Sequence, residues 1–240
     1  IMPSLVGSEM CIRDSPKDVI GEVDAVLVAT DIGSEHVARC QPFIDADVPI
    51  FIDKPLCDNL SDLEIFQKWI GEGKNFISSS AMRYCKEYEP YHLSTHELGD
   101  LRYVNITMAK SWEKYGIHAL ETVYPIVGPG FESVQNIGDK NRNIVHLHHS
   151  KGIDINIANI SDMLGGFGLI SLMGTKSGIQ IKSTDTYYAF KKQLQSYVNY
   201  LQTGHKPVPW NETYELMQLV SAGIESREKG GMKITLNKDK

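Results

Sequence analysis

Residues 24–79 alternate between short apolar runs and segments with helical periodicity. Three runs, at 24–30, 49–53 and 75–79, are nearly continuous in apolar residues, which is typical of strands buried on both faces of a parallel sheet. The segments between them, around 37–44 and 60–70, place their apolar residues on one helical face. This β-α-β-α-β order with short connections predicts right-handed crossovers in a doubly wound α/β sheet.

Beyond Leu98 the pattern changes to an alternation of apolar and polar positions. Four segments alternate in this way: 101–108, 144–149, 153–160 and 169–173. They predict an antiparallel sheet with one face in water, followed by amphipathic helices at 190–201 and 216–224. We therefore predict an α/β domain over residues 16–97 and an α+β domain, with a large open antiparallel sheet, over residues 98–240.

The amino-acid composition argues against several classes of protein. The 240 residues are 42% hydrophobic and 22% charged, with a formal net charge of −6, which is typical of a globular protein rather than a disordered one. The 24 Lys and Arg are scattered among 30 Asp and Glu, so we expect no nucleic-acid partner. No apolar run approaches the roughly 18 residues that cross a bilayer, so we expect no membrane partner. The four cysteines match neither a metal knuckle nor a disulfide framework, which favours a reducing, cytoplasmic location.

The first fifteen residues show no periodicity. The chain opens with Ile1 in place of a start Met, and no signal-peptide pattern precedes Ser15. The segment is similar to translated sequencing-adapter read-through, so we expect residues 1–15 to be non-native and the native N-terminus to be absent from the sequence.

The first candidate for chemistry is Asp53-Lys54-Pro55, directly after the second buried run. Open α/β sheets bind their ligands at this edge. A lysine there is costly to bury and its pKa shifts readily, so Lys54 could hydrogen-bond or exchange a proton with a substrate hydroxyl. A surface lysine beside a turn-setting proline is the alternative interpretation.

The second candidate lies at 114–121. If this segment is helical, Lys114, His118 and Glu121 have i, i+4, i+7 spacing and share one face. An imidazole flanked by a cation and a carboxylate is a candidate general base at physiological pH. A hydrogen-bonded or capping histidine at a helix start is the alternative interpretation.

Other motifs give weaker evidence of a functional site. His146 and His148 could share one strand face, but no Cys or carboxylate is found nearby at ligand spacing, so we predict no metal site. The glycines at 165–168 precede a predicted strand, which favours a hairpin turn over a phosphate loop. No GxGxxG, Walker or GxSxG sequence occurs in the 240 residues.

Taken together, several stretches resemble the Gfo/Idh/MocA family of NAD(P)-dependent sugar oxidoreductases. In order, they are 26–30 with 35–36, 50–55, 81–84 and 116–128. The most specific part is the strand-ending acidic-Lys-Pro triplet with a downstream Gly-x-His-x-x-acidic sequence. The resemblance runs from about residue 16 to the C-terminal helices. It implies a Rossmann domain, here lacking its first strands, joined to a domain with a large open antiparallel sheet, with nicotinamide and substrate meeting between the two.

The resemblance also implies roles for individual residues. Lys54 would contact the substrate hydroxyl, and His118 would remove its proton during hydride transfer. Cofactor contacts are implied for four residues: Thr30, His36, Asp53 and Pro55. We predict substrate contacts from four more: Arg83, Trp112, Lys114 and Tyr115.

Two residues depart from the family pattern. Many members have Asp four residues before the histidine, where this chain has Lys114, and Asp53 stands where Glu is usual. A cation at 114 favours neutral His118, which stays competent as a base but loses the carboxylate that would stabilise its protonated form. Glu113 or Glu121 could compensate.

A further departure concerns the cofactor. The family's first strand, glycine-rich loop and ribose-reading acidic residue are expected before residue 16, and this sequence does not contain them. Without the helix N-terminus that anchors the pyrophosphate, we expect this chain to bind NAD or NADP weakly or not at all, and a longer parent to bind it.

We therefore expect a dehydrogenase that moves a hydride between NAD(P) and a hydroxyl of a sugar, cyclitol or polyol. Two alternatives stay open: an NAD-dependent glycosidase that oxidises its sugar transiently, and a non-catalytic sugar-binding or scaffold protein. The alternating Ile residues at 153, 155, 157 and 160 predict an exposed apolar sheet face, and through it a homo-oligomer.

Overall fold

A computed structural model describes residues 15–163 and 168–236 of the chain. The predicted non-native segment lies outside the described residues except for Ser15. Its hydroxyl accepts a hydrogen bond from the backbone of Lys17 and caps the short 3-10 helix Pro16–Val19. The predicted hairpin turn at 165–168 also lies outside them, apart from Gly168.

A three-stranded parallel sheet forms the first part of the fold, in the order β1-β2-β3. Its elements are β1 (Val26–Val28), α1 (His36–Asp45), β2 (Ile50–Ile52), α2 (Leu60–Gly71) and β3 (Phe76–Ser78). The predicted β-α-β-α-β order is confirmed, and β2 and β3 are buried at every position. On β1, however, Leu27 is 57% exposed, so the prediction of two buried faces is wrong for this strand. β1 is an edge strand among the described residues, and the described helices leave the face that carries Leu27 open.

A seven-stranded sheet forms the second part, in the order β10-β5-β6-β7-β4-β8-β9. Its strands are β4 (Leu101–Ala109), β5 (Phe131–Asn136), β6 (Arg142–His149), β7 (Ile153–Ile160), β8 (Leu169–Gly174), β9 (Gly178–Lys182) and β10 (Ile234–Thr235). The predicted open sheet is confirmed, with one exception to its antiparallel pairing: β4 and β7 run parallel. An alternating pattern cannot reveal this, because it is the same for both strand directions.

Three helices accompany this sheet: α3 (Ile117–Val127), α4 (Thr186–Thr203) and α5 (Trp210–Glu228). α4 lies on the parallel sheet, where the ring of Tyr197 is 5.5 Å from that of Phe51. The Tyr197 hydroxyl reaches the carbonyls of Val26 and Pro49. A helix from beyond the predicted boundary at residue 98 thus completes the core of the first part. The boundary itself stays a prediction.

The alternating Ile residues of β7 face the hydrophobic core. Ile153, Ile155 and Ile157 are buried, whereas Asp154, between the first two, is exposed. The reason given for a homo-oligomer is therefore wrong, because these side chains already cover the inner face of the sheet. The oligomeric state stays a prediction.

Trp112, in the turn Trp112–Gly116 that leads into α3, packs against α5. Its indole is fully buried and its N–H donates to the carbonyl of Val220 at 2.9 Å. Gly223 of α5 allows the indole to approach, since a Cβ added there would lie 2.5 Å from the indole nitrogen. The predicted substrate contact from Trp112 is therefore not supported. Among the described residues, no helix has the length and hydrophobicity to cross a membrane.

We predict that Gly223→Ala lowers the free energy of unfolding by about 2 kcal/mol, because the added methyl group overpacks the contact with Trp112. Gly71→Ala is the matched control, since its added Cβ would meet nothing within 4 Å. It should be neutral or stabilise by about 0.5 kcal/mol, because Ala loses less backbone entropy than Gly. Urea denaturation measures both, and equal stabilities for the two variants would contradict the packing assignment.

Candidate active site

The loops after β1 and β2 meet at the carboxyl edge of the parallel sheet, and His36 connects them. The imidazole is fully buried, with Nε2 3.0 Å from the carbonyl oxygen of Thr30 and Nδ1 3.0 Å from that of Leu56. Gly33 allows the close approach, because a Cβ there would lie 2.8 Å from the backbone of Cys57. His36, predicted as a cofactor contact, therefore acts here as a positioning residue.

Lys54 lies directly after β2 and is joined to Pro55 by a cis peptide bond. Its side chain is 12% exposed, so it is not an ordinary surface lysine. The ammonium lies 3.4 Å from the Asp53 carboxylate and 5.3 Å from the centre of the Tyr115 ring. Burial of the stem and these two contacts hold the charge at the sheet edge.

His118 lies in the first turn of α3 and is 2% exposed. Its Nδ1 is 2.6 Å from the hydroxyl oxygen of Ser80, at the end of the loop after β3, and its ring packs edge-on against Tyr115 at 4.7 Å. Burial first, and then the charges of Lys54 and Lys110, lower the pKa of His118 to about 3. The imidazole is therefore neutral at neutral pH, as expected.

The lysine charges that lower the pKa of His118 do not include that of Lys114, the predicted cation. Lys114 turns outward and pairs with Asp31, in the loop after β1, at 3.1 Å. It is Lys110 whose charge lowers the pKa of His118. Lys110 follows β4, and its ammonium lies 2.9 Å from the Tyr115 hydroxyl. Sequence reasoning missed this residue, and its position at a strand end was the available signal.

The two carboxylates that could compensate for Lys114 are engaged elsewhere. Glu113 pairs with Arg227. Glu121 is buried and pairs with Arg83, and burial raises its pKa while the guanidinium opposes the shift. Arg83 also reaches Glu212 at 3.0 Å. Arg83, a predicted substrate contact, thus lies in a nearly buried ion-pair network between α3 and α5.

The carboxyl edge of the parallel sheet has polar groups suited to a nicotinamide. The hydroxyl oxygens of Thr30 and Ser79 are buried, and within 15–163 and 168–236 neither has a hydrogen-bond partner. Buried hydroxyls without partners are uncommon and indicate a polar ligand. Thr30 follows β1 and Ser79 follows β3, on either side of β2, so each hydroxyl could meet a separate polar atom of a nicotinamide nucleotide, and the residues present fit that group. Thr30 and Ser79 would hold it beside Asp53 and Pro55.

The strand histidines share a carboxylate that their spacing in the sequence does not indicate. His146 and His148 both contact one oxygen of Asp154, at 3.0 and 2.9 Å. Across the part of the chain that the structure describes, no group of three or more His, Cys, Asp or Glu could hold a metal ion.

A cavity of about 720 Å³ lies away from these residues. It is lined by α2, α5 and the start of β5, including Gln67, Trp210 and Tyr214. None of the sequence-predicted site residues lines it, so the candidate site rests on the convergence of side chains and not on this cavity.

Comparison with known proteins shows what the fold resembles. No protein-family model matches the sequence, and no curated protein matches it. A myo-inositol dehydrogenase from Corynebacterium glutamicum aligns over 93% of this chain and 84% of its own, with 19% identity and a TM-score of 0.77. A myo-inositol dehydrogenase from Lactobacillus casei, in complex with NAD(H) and myo-inositol, aligns over 92% and 80%, with 17% identity and a TM-score of 0.75.

An oxidoreductase from Agrobacterium radiobacter, in complex with NAD+, L-tartaric acid and magnesium, aligns over 92% of this chain and 83% of its own, with 14% identity and a TM-score of 0.77. At these identities the likeness establishes the fold, a parallel α/β part followed by an open-sheet part.

We predict that His36→Ala lowers the free energy of unfolding by about 3 kcal/mol, because it leaves two buried carbonyls without their contacts. The exposed His205→Ala is the matched control and should change stability by less than about 0.5 kcal/mol. Chemical denaturation measures both. Equal effects would contradict the positioning role.

The low pKa of His118 predicts a pH dependence of stability. The unfolded state takes up a proton near pH 6.5, whereas the folded state takes it up near pH 3. Stability from this group is therefore complete above pH 6.5 and is lost as the pH falls toward 3, by up to about 1.4 kcal/mol per pH unit. His92 and His149, whose pKa values burial also lowers, act in the same direction.

His118→Gln should therefore reduce the stability lost between pH 7 and pH 5 by about 2 kcal/mol, as measured by urea denaturation at each pH. The exposed His205→Gln is the control and should leave the loss unchanged. An unchanged loss in the His118 variant would contradict a neutral, buried imidazole.

Proposed function

We propose that this chain is an NAD(P)-dependent oxidoreductase of the Gfo/Idh/MocA type, acting on a hydroxyl of a sugar, cyclitol or polyol in the cytoplasm. One observation supports the proposal above all. Lys54 and His118, 64 positions apart in the sequence, both lie against the ring of Tyr115, at 5.3 and 4.7 Å. A buried cation and a neutral imidazole at one point suit the removal of a hydroxyl proton.

In this proposal each residue has one task. The dinucleotide, when bound, supplies the hydride acceptor for the carbinol hydrogen. Lys54 donates a hydrogen bond to the hydroxyl oxygen and stabilises the negative charge that develops there. His118 takes the hydroxyl proton, so that C–H and O–H bonds break and a C=O bond forms.

The tautomer of His118 decides whether the imidazole can take the hydroxyl proton. Proton uptake at Nε2 requires that Nδ1 carries a hydrogen and donates it to the Ser80 oxygen, 2.6 Å away. That oxygen also accepts a hydrogen bond from the backbone N–H of Met82, and two lone pairs serve both donors. Ser80 is therefore the positioning residue of the base.

The test separates the nicotinamide end from the rest of the cofactor, because the 240 residues contain no GxGxxG loop. We expect saturation-transfer NMR to detect binding of nicotinamide riboside and of a polyol such as myo-inositol. With millimolar NAD+ or NADP+ and a panel of polyols, absorbance of the reduced nicotinamide should rise.

Lys54→Met and His118→Gln should each lower the rate by about 10²- to 10⁴-fold, the range for loss of a proton-transfer group. Lys68→Met, on an exposed position of α2, is the matched control and should keep the wild-type rate. Wild-type turnover in both site variants would refute the assignment. Release of an aglycone without reduced nicotinamide would favour the glycosidase, and polyol binding without either reaction would favour a sugar-binding protein.

A further inference from the structure

Two lysines from different segments lie over the ring of Tyr115, and a third is its neighbour in the chain. Lys54 follows β2 and Lys110 follows β4, and their ammonium groups lie 5.3 and 4.4 Å from the centre of the ring. Lys114 is next to Tyr115 in the chain and holds Asp31 at 3.1 Å. We call Lys54, Lys110 and Lys114 the lysine cluster.

The carboxylates at the lysine cluster do not balance its charge. Asp53 contacts Lys54, and Asp31 contacts Lys114. Among the described residues, no carboxylate lies within ion-pair distance of Lys110, whose polar contact is the Tyr115 hydroxyl. Three positive charges therefore face two negative ones, next to a neutral His118.

The backbone indicates that Lys110 is held in place at a cost. Its φ of 64° lies in the left-handed region, which is unfavourable for a residue with a Cβ. In this conformation the side chain reaches over Tyr115 toward the site. Like charges brought together repel, and a negative ligand beside the ring would offset the repulsion between Lys54 and Lys110.

We propose that the substrate of this site carries an oxyanion, a carboxylate or a phosphate monoester, besides the hydroxyl that reacts, and that Lys110 and Lys114 bind it. The proposal rests on the proposed function, because it names the substrate class of the same site. The oxyanion lies beside Tyr115, on the side of Lys110 and Lys114, while the reacting hydroxyl lies between Lys54 and His118.

An anionic substrate also accounts for the electrostatics of the base. Lys54 and Lys110 lower the pKa of His118. The other groups near the ring are Ser80 and Tyr115, together with Glu121 of the same helix and its partner Arg83 from the segment after β3. A bound oxyanion offsets the lysine charges and raises the pKa of His118. The imidazole then becomes a stronger proton acceptor only when substrate is present.

The test compares two compounds that differ at one carbon, without dinucleotide. Sorbitol is neutral, and D-gluconate has the same carbon chain with a carboxylate in place of one terminal CH₂OH. We expect D-gluconate to bind about tenfold more tightly than sorbitol in calorimetric titration, with the preference falling as ionic strength rises. A parallel titration with sorbitol 6-phosphate distinguishes phosphate from carboxylate as the preferred oxyanion.

Lysine variants test whether the preference for gluconate comes from the lysine cluster. Lys110→Met and Lys114→Gln should each weaken gluconate binding about fivefold and affect sorbitol binding less, so that the preference for gluconate falls. Lys140→Met and Lys191→Met, at exposed lysines away from Tyr115, should change neither. In NMR titration, saturating gluconate should raise the pKa of His118 in the wild type and raise it less in Lys110→Met.

Three results would overturn the proposal. Equal affinities for sorbitol and gluconate would show that the site takes a neutral substrate, while leaving the proposed function intact. A gluconate preference that survives in both lysine variants would place the oxyanion elsewhere. Competition by ADP would assign the lysine cluster to the dinucleotide phosphates. If instead Lys54→Met and His118→Gln leave the binding of both compounds unchanged, the site itself is wrong and the proposed function fails with it.

Discussion

The buried imidazole of His36 is the contact on which the candidate site depends. It bridges the backbone carbonyls of Thr30 and Leu56, in loops that follow two adjacent parallel strands. Parallel strands bring their carboxyl ends to one edge but leave the loops there free to separate. With His36 in place, the Lys54–Pro55 segment is held against the loop after β1, and the ammonium of Lys54 has a defined position. A charge contributes to catalysis or recognition only where its position is defined before the substrate arrives.

The second part of the chain supplies the other half of the site. Tyr115 and His118 come from the turn that opens α3, and Lys110 from the end of β4. The candidate site therefore exists only at the junction of the parallel sheet with the open-sheet part. α4 secures this junction by covering the parallel sheet with Tyr197 and Tyr200. Packing across the two parts thus sets the geometry of the chemistry.

Two groups of charges in this region are arranged in opposite ways. Arg83 is nearly buried and is matched by Glu121 and Glu212, so its charge is compensated within the protein. A buried ion pair of this kind adds little stability but fixes side-chain geometry, and loss of one partner would leave an uncompensated charge. In the lysine cluster, Lys54 is as buried as Arg83, whereas Lys110 is exposed and Lys114 is 43% exposed. Its charges are only partly compensated, which is the condition for binding a ligand of opposite charge.

The sequence by itself determined the local elements. Apolar runs located β1, β2 and β3, and alternation located four strands of the open sheet, because both patterns follow from which side chains need burial. It also made Lys54 and His118 candidates, since a lysine at a strand end and a histidine at a helix start are local features. The strand direction of the β4–β7 pair, the inward face of the β7 isoleucines and the core position of Trp112 were decided only by the tertiary structure. So were the partners of Glu121, Lys110 and Lys114. Each of these depends on which distant segments meet, and charge and burial act through space rather than along the chain.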